Sequence, residues 1–250
     1  MTAIVAIPAR LKSSRFPGKV LADLRGRPML WHVWQGVAQA RTISQVWVLT
    51  DSREVYDLAI SWGAKALMTS EECPSGTDRI ASVASLLEAD IIVNVQADEP
   101  LITGAVVDAV VRALEGSNCD VATPAYPIQS LADVTNPNVV KVVRGTSGNA
   151  LYFSRSPIPY VRDGEWSDWL NLVRFWGHVG VYGYRREVLL QYSGLPQGKL
   201  EKAESLEQLR LLEAGLQIAI AEIDYHPHAV DVPADLEVVK EILDARLSPT

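Results

Sequence analysis

The first half of the chain alternates short apolar runs with amphipathic segments. The runs have the length and composition of buried β-strands. They occupy residues 4–7, 46–50, 64–69, 91–95 and 121–126. The segments between them place apolar residues at the spacing of one helix face, as in Leu30, Val33, Trp34 and Val37. This alternation predicts an α/β fold with a Rossmann-like, doubly wound and mostly parallel sheet.

The pattern changes near residue 136. Apolar runs at 139–144 and 150–153 are joined by a short connection that contains Gly145 and Gly148. Two strands joined so tightly must run antiparallel, so we expect a smaller hairpin subdomain here.

Three more elements complete the predicted chain. Residues 178–185 have the alternation of a strand, 201–214 predict a helix, and 218–223 a last strand. A final helix begins near Pro233, because proline suits the first helical turn. We expect a single domain built from residues 1–135, 136–230 and 231–250, with the last helix returning to the first of these segments.

Composition narrows the classes of function. The chain has a net charge of −7, and 48% of its residues are hydrophobic. No run approaches the ~20 apolar residues that span a bilayer, and an acidic chain is not expected to bind nucleic acid. The N-terminus lacks a signal-peptide pattern, and Cys73 and Cys119 lack metal-ligand spacing. We therefore expect a cytoplasmic protein with free thiols and no membrane contact.

Basic side chains are concentrated just after the first strand. The first 28 residues contain six basic side chains and one acid, Asp23. Four of the six, Arg10, Lys12, Arg15 and Lys19, lie in one loop with small and turn residues between them. A solvated basic loop is the alternative, but the carboxyl edge of an α/β sheet is where polyphosphates bind. We therefore predict that this loop binds the phosphates of a small anion.

Acidic residues follow the most apolar strand. Asp98 and Glu99 come directly after residues 91–95, with Pro100 next. The alternative is a simple turn, but oxygen ligands at a strand end suit Mg²⁺, which keeps water and phosphate oxygens as its other ligands. Asp231 could be a second ligand if the last strand returns next to this edge, or it could cap the final helix.

The segment 75–79 reads Ser-Gly-Thr-Asp-Arg and supports two interpretations equally. Ser75 or Thr77 could simply cap a helix. Alternatively, the loop could surround a base, with Arg79 near the phosphates.

The third quarter of the chain is rich in aromatic residues. His178, Gly180, Tyr182 and Tyr184 would share one face of a strand. Such a face suits a hydroxyl-rich ligand, although a half-exposed strand would look the same. The irregular segment before it, which contains three tryptophans, is expected to cap a site or to form a dimer surface.

Taken together, these segments resemble the CMP-Kdo synthetases, also called 3-deoxy-manno-octulosonate cytidylyltransferases. The matching stretches are IPARLKSSRFPGK, RPMLWHV, SGTDR, IVNVQADEP, NPNVVKVV, ALYFSRSPIP, HVGVYGYR, ESLEQLR and VDVPADLE. The first stretch is shared with other sugar nucleotidyltransferases, whereas ALYFSR, GVYGYR and LEQLR in this order are more specific.

The resemblance implies an enzyme that joins CTP to the acidic sugar 3-deoxy-manno-octulosonate (Kdo), giving CMP-Kdo and pyrophosphate for lipopolysaccharide synthesis. It further implies Mg²⁺ as cofactor, a homodimer, nucleotide binding by residues 1–135 and sugar binding by residues 136–230. The implied nucleotide-binding residues are Pro8, Ala9, Arg10, Ser13, Arg15, Lys19, Ser75, Gly76, Arg79 and Gln96. The implied sugar-binding residues are Gln96, Arg155, His178, Tyr182, Glu207 and Gln208. Catalysis would rest on Arg10, Lys19 and Asp98, and Asp98 and Asp231 would bind the metal.

Two positions depart from the family pattern. Ala97 replaces the usual glycine before Asp98, and Val232 replaces a threonine after Asp231. A Cβ at position 97 narrows the space beside the ligands and disfavours positive φ. A related acidic sugar, such as 8-amino-Kdo or a sialic-acid-like sugar, therefore stays open as the substrate. A nucleotide-binding protein without catalysis is a further alternative.

Overall fold

The chain divides into two units, each with its own set of strands. The computed structural model describes residues 1–12 and 15–247. One unit contains Met1–Asp108 and the segment from Pro227 onward, and the other contains Ala109–His226. The change of unit falls inside helix Gly104–Glu115. An amphipathic helix that continues without interruption gives no change of composition at this point, so the sequence offers no signal for it.

The first unit contains a parallel sheet. Its strands are β1 (Ala3–Pro8), β2 (Asp23–Leu24), β3 (Arg27–Pro28), β4 (Gln45–Thr50), β5 (Lys65–Met68) and β6 (Ile91–Asn94). The parallel strands follow the order β5-β4-β1-β6, and β2 pairs with β3 as a small antiparallel ribbon. The chain adds β4 and β5 on one side of β1 and then β6 on its other side, so the direction in which strands are added reverses at β1. This reversal confirms the doubly wound α/β prediction. In such sheets ligands bind where the strand order reverses, here at the carboxyl ends of β1 and β6.

The helices of the first unit cover this sheet and close a second small core. They are α1 (Met29–Val37), α2 (Arg53–Ser61), α3 (Gly76–Val83), the start of α4 (Gly104–Glu115) and the C-terminal α10 (Pro233–Leu247). The small core joins side chains far apart in sequence, namely Leu24, Met29, Leu101, Val230, Leu236 and Val239. It fixes the start of α10 beside the chain that follows β6, which brings Asp231 toward Asp98.

The second unit is organised around one strand. Its strands are β7 (Val121–Pro127), β8 (Lys141–Arg144), β9 (Ala150–Ser154), β10 (Trp176–His178), β11 (Tyr182–Arg185) and β12 (Ile218–Glu222). Strand β7 pairs parallel with β12 and antiparallel with β10 and β11. The predicted hairpin is confirmed, since β8 and β9 pair antiparallel with a register shift near Arg144. The helices of this unit are α5 (Leu131–Thr135), α6 (Trp169–Leu172), α7 (Arg186–Tyr192), α8 (Lys199–Glu204) and α9 (Gln208–Glu213).

Two elements predicted as continuous are interrupted. The strand expected over 178–185 is split, because Pro124 on the paired strand β7 has no N–H for the ladder. The helix expected over 201–214 is split at Ser205, whose φ of 53° is left-handed. Residues 201–214 contain neither proline nor glycine, so nothing in the local sequence marks this second break.

The described residues also answer two questions raised by composition. None of their helices is both long and apolar enough to cross a membrane. Cys73 and Cys119 are free thiols, as expected.

Candidate active site

The basic loop begins where β1 ends, at the carboxyl edge of the first unit's sheet. The N–H of Ala9 still donates to Leu49 O at 2.8 Å, and the chain then leaves the sheet at the exposed Arg10. Gly18, with φ of 69°, reverses the chain, and its N–H bonds to Leu11 O at 3.3 Å. This turn brings Lys19 back to the sheet edge. Ser13, predicted to contact the nucleotide, lies outside the described residues.

Lys19 connects the two predicted metal ligands. Its Nζ lies 2.8 Å from Oδ2 of Asp98 and 3.6 Å from Oδ1 of Asp231. Arg15 donates to the same Oδ1 of Asp231 at 3.0 Å. The two carboxylates therefore meet at one ammonium group, although they come from opposite ends of the unit's sequence.

The backbone explains why Asp231 faces this place. The N–H of Val230 donates to Asp98 O at 2.9 Å, which joins the two segments directly. Asp235, in the first turn of α10, holds the entry to this helix, since its Oδ2 accepts from the N–H groups of Asp231 and Val232 at 2.8 and 2.9 Å. Of the two interpretations left open for Asp231, the structure therefore favours the one in which its carboxylate faces the site.

The two carboxylates fit a hard cation whose remaining ligands are water or phosphate oxygens. Two carboxylates converge here, and no group of three or more His, Cys, Asp or Glu side chains in the described part of the chain could hold a metal by itself. Mg²⁺ commonly binds through one or two carboxylates together with phosphate oxygens and water. The ammonium of Lys19 already lies beside both carboxylates, in a position that a divalent cation could share or take.

A second group of predicted nucleotide-binding residues meets beside β1. A Cβ on Gly76 would lie 3.0 Å from Oε1 of Gln96 and 3.0 Å from Cγ of Pro8, so the three residues are in close approach. Gln96 is oriented by a hydrogen bond from its Nε2 to Asn94 at 2.8 Å. Ser75 caps α3, since its Oγ accepts from the N–H of Asp78 at 3.1 Å. The segment is thus a helix cap that lies against Pro8 and Gln96, and its contact with a nucleotide stays a prediction.

Arg79 is placed differently from the prediction that it borders the bound nucleotide. Its side chain is 2% exposed, and it donates to Asp51 Oδ2 at 3.0 Å and also to Thr69 Oγ1. Asp51 accepts from the N–H of Leu11 at 3.2 Å as well. A buried charge must be paired, and Arg79 is paired with Asp51. Through Asp51, Arg79 links α3 to the start of the basic loop.

Asp51 is the residue of this network that sequence reasoning missed. It comes directly after β4, and its side chain is 7% exposed. The signal that identified Asp98, an acid at the carboxyl end of a parallel strand, was present at Asp51 as well.

Ala97 is accommodated without strain. It is buried, and the positive-φ residues other than glycine in the described chain are Arg25 and Ser205. The backbone at 97 therefore does not need the conformation that favours glycine, and the replacement leaves the path to Asp98 intact. Val232, the other departure, is 38% exposed.

The second unit brings three of the predicted sugar-binding residues, His178, Tyr182 and Glu207, together with further aromatic side chains. The ring of Tyr182 lies 5.4 Å from that of His178 and 6.0 Å from that of Tyr184. Tyr184 contacts Tyr192, whose hydroxyl is 3.5 Å from Glu207 Oε2. The expected polar and aromatic face therefore exists despite the break between β10 and β11.

The titrating groups of this face are held neutral. Burial lowers the pKa of His178 to about 3. Burial, followed by the negative charge of Glu207, raises the pKa of Tyr182 well above its usual 10. At neutral pH the face consequently offers neutral hydrogen-bonding groups beside the Glu207 side chain.

Gln208, the residue after Glu207, has an unused hydrogen-bond donor. The residue is 4% exposed, and its Nε2 has no partner among the described residues. Because a buried polar group without a partner is costly and rare, this Nε2 is a donor that a ligand or a water molecule could use.

Arg155 departs from the prediction that it faces an acidic sugar. Its guanidinium donates to Glu204 O at 2.8 Å, Pro137 O at 2.9 Å and Ser205 O at 3.4 Å. The fully buried Lys141 holds the same region, since its Nζ donates to Asn136 O, Val139 O and Arg155 O at 2.6 to 2.9 Å. These carbonyls belong to turns and a helix end, which leave acceptors without backbone partners. Arg155 therefore supports the loop that precedes Glu207.

The chain is similar to proteins of one family along almost its whole length. The family model described as Cytidylyltransferase matches residues 4–218. A 3-deoxy-manno-octulosonate cytidylyltransferase of Geotalea uraniireducens is 47% identical over 250 residues, covering 97% of this chain and 98% of the relative. The protein of that name from Escherichia coli is 44% identical over 252 residues, covering 98% of each.

Solved structures give the same result. The structure of a CMP:2-keto-3-deoxy-manno-octonic acid synthetase complexed with CTP matches with a TM-score of 0.92 at 43% identity, covering 99% of this chain and 100% of the other. A cytidylyltransferase from Leptospira borgpetersenii matches with a TM-score of 0.66 at 16% identity, covering 99% of this chain and 89% of the other, which shows a shared fold.

The carbonyl contacts of Arg155 predict a structural cost when the side chain is removed. We expect Arg155→Ala to lower the free energy of unfolding by about 2 kcal/mol, because charged hydrogen bonds to three carbonyls are lost. Arg162→Ala is the matched control, since that side chain is 91% exposed. Urea unfolding measures both, and equal stabilities for the two variants would contradict the supporting role.

The depressed pKa of His178 predicts acid sensitivity. The unfolded chain binds a proton near pH 6.5, whereas the folded chain does so only near pH 3. Unfolded molecules therefore hold more protons in this window, and stability is lost as pH falls below about 6.5. His178→Asn should flatten the decline, as measured by thermal unfolding from pH 7 to 4. An unchanged slope in the variant would argue against a buried neutral imidazole.

Proposed function

The chain belongs to the cytidylyltransferase family, and we propose that it transfers CMP from CTP to 3-deoxy-manno-octulosonate, releasing pyrophosphate. The observation that carries the proposal is the convergence of Asp98 and Asp231 on Lys19 at the carboxyl ends of β1 and β6. The named relatives, which are similar along their full length, support the choice of Kdo as the acceptor.

The nucleotide would bind at the edge of the first unit's sheet. The basic side chains of Arg10, Arg15 and Lys19 would neutralise its phosphates, and charge-assisted hydrogen bonds of this kind are among the strong ones. Pro8, Ala9, Ser75, Gly76 and Gln96 would border the rest of CTP. The close approach of Gly76 to Pro8 and Gln96 supports this arrangement.

Mg²⁺ is the proposed cofactor, and Asp98 and Asp231 would hold it. When bound there, it would neutralise phosphate charge and lower the cost of bringing two anionic substrates together. Lys19, held now by both carboxylates, would be released to the pyrophosphate leaving group, where negative charge develops.

The sugar would bind to the polar and aromatic face of the second unit. Neutral His178 and Tyr182 would recognise hydroxyl groups, Glu207 would accept hydrogen bonds, and the unpartnered Nε2 of Gln208 would donate one. Arg155 would contribute indirectly, by supporting the segment that carries Glu207.

The reaction itself would be a single displacement. The anomeric hydroxyl oxygen of the sugar forms a bond to the α-phosphorus of CTP while the bond to pyrophosphate breaks in line with it. The hydroxyl proton leaves to solvent or to the departing phosphate. Positioning and charge neutralisation carry the rate enhancement, as in other phosphoryl transfers.

The biological setting is part of the proposal. CMP-Kdo made in the cytoplasm would supply lipopolysaccharide synthesis, and the enzyme would act as a homodimer through the second unit. The exposed aromatic residues Tyr160 and Trp166, at 75% and 39% exposure, support a contact surface there.

Pyrophosphate release tests the proposed reaction directly. Purified protein is mixed with CTP and Kdo, with and without Mg²⁺, and parallel reactions contain 8-amino-Kdo or N-acetylneuraminate. We expect Mg²⁺-dependent release that is fastest with Kdo. Faster pyrophosphate release with another sugar would identify that sugar as the acceptor. CTP binding without pyrophosphate release in the presence of any of the sugars would favour a nucleotide-binding protein without catalysis.

Removing one carboxylate charge should remove most of the turnover. We expect Asp98→Asn to lower kcat by more than ~100-fold with the fold retained, because electrostatic stabilisation of this kind is worth ~3 kcal/mol or more. Asp163→Asn is the control, since that carboxylate is 96% exposed. Near-normal turnover of Asp98→Asn at saturating Mg²⁺ would disprove the metal-binding role.

Replacing Gly76 by alanine should weaken the binding of CTP and leave the binding of the sugar unchanged. Its Cβ would come within 3.0 Å of Pro8 and Gln96, and the shift of these side chains should raise KM for CTP about tenfold, with the sugar KM little changed. Gly145→Ala is the control, because the nearest atom there, Leu151 Cδ2, is at an ordinary 3.4 Å. A rise confined to the sugar KM would assign Gly76 to the other substrate.

A further inference from the structure

Thr123 lies at the centre of the break between β10 and β11. The residue is fully buried in β7, and its Oγ1 lies 2.7 Å from Val181 O, 2.9 Å from His178 Nε2 and 3.3 Å from Val179 O. A hydroxyl group has one proton to donate and two lone pairs that accept. Only one of these three contacts can therefore use the proton of Thr123.

The neighbouring proline determines which contact receives that proton. Pro124 has no N–H to donate to the carbonyl groups opposite it, so these carbonyl oxygens need other donors from nearby residues. Val179 O accepts instead from the N–H of Val181 at 2.7 Å. Val181 is fully buried, so its carbonyl oxygen needs a donor, and the hydroxyl of Thr123 is at the right distance. The proton of Thr123 consequently belongs to Val181 O.

The count of hydrogen-bond donors and acceptors around Thr123 also shows which nitrogen of His178 carries the proton. Because Thr123 Oγ1 has given its proton away, it can only accept from the imidazole, so Nε2 must carry the hydrogen. A neutral imidazole has one protonated nitrogen, which leaves Nδ1 as an acceptor. Nδ1 makes no hydrogen bond within the described residues, and the ring is held on its sides by Phe153 at 5.0 Å and Tyr182 at 5.4 Å.

We propose that Thr123 is a positioning residue for sugar recognition, which locks His178 in the Nε2–H form so that Nδ1 accepts a hydrogen bond from a substrate hydroxyl group. The inference rests on the proposed function, because it treats the face around His178 and Tyr182 as the sugar site. It adds that His178 serves there as an acceptor, neither as a cation nor as a donor.

The tautomer can be measured without any substrate. Long-range ¹H–¹⁵N spectra of the ¹⁵N-histidine-labelled protein distinguish a protonated ring nitrogen from an unprotonated one, and His178→Asn identifies the signals. We expect a protonated Nε2 and an unprotonated Nδ1 at pH 7. A protonated Nδ1 overturns the proposal, and so does a doubly protonated ring.

Substitution then tests whether Thr123 is responsible. Thr123→Val keeps the shape and removes the hydroxyl, whereas Thr123→Ser keeps the hydroxyl. We expect Thr123→Val to populate the Nδ1–H form and to raise the sugar KM about tenfold with the CTP KM unchanged, and Thr123→Ser to restore both. Thr135→Val, an exposed site in α5, is the matched control.

The outcomes test separately the tautomer of His178 and the role of Thr123 in fixing it. An unchanged histidine spectrum in folded Thr123→Val overturns the role of Thr123, and so does a sugar KM that does not change. If Thr123→Val does not fold, the wild-type and Thr123→Ser spectra still decide, since both must show the Nε2–H form. The wild-type spectrum does not depend on the acceptor, so a protein with the expected tautomer and no activity toward Kdo contradicts the proposed function alone.

Discussion

The ammonium group of Lys19 holds the first unit's site together. Two carboxylates that approach each other repel unless a cation lies between them, and here the cation comes from the turn that closes the basic loop. The pairing does two things at once. It fixes the end of that loop against the strand that precedes Asp98, and it holds both carboxylates toward the same point. Under the proposed function, a bound metal would compete with Lys19 for these two carboxylates.

The two units treat their polar groups differently. The first concentrates formal charges at the sheet edge, where Arg10 and Arg15 remain exposed to solvent. In the second, the formal charges near the polar face are largely engaged by the protein: Arg155 and Lys141 bind carbonyl oxygens. The polar and aromatic face itself is mostly neutral, apart from Glu207. Such a division would suit the proposed reaction, in which one substrate is recognised by its phosphates and the other by the positions of its hydroxyl groups.

Much of this could be predicted from the sequence, and the failures have physical causes. The strand-and-helix alternation, the basic loop after β1 and the hairpin of β8 and β9 depend on local patterns, and they were predicted correctly. The interruption after His178 depends on Pro124, a residue on the neighbouring strand that no local pattern connects with it. The carbonyl contacts of Arg155 could not be predicted either, because a guanidinium has the same chemistry whether it binds a carboxylate or three carbonyls, and only the fold shows which acceptors are near.

The segment that carries Asp231 also determines when the site can exist. The second unit is inserted in the chain between the two stretches of the first. A ribosome therefore releases the sheet edge, the basic loop and Asp98 long before Val230 and Leu236 are made, and until then the small core around Leu24 lacks half of its members. The nascent chain must keep an unfinished first unit in solution while the second is synthesised and folds. The first unit is thus completed last, although its synthesis begins first, and the pairing of Asp231 with Lys19 forms only after the second unit has been made.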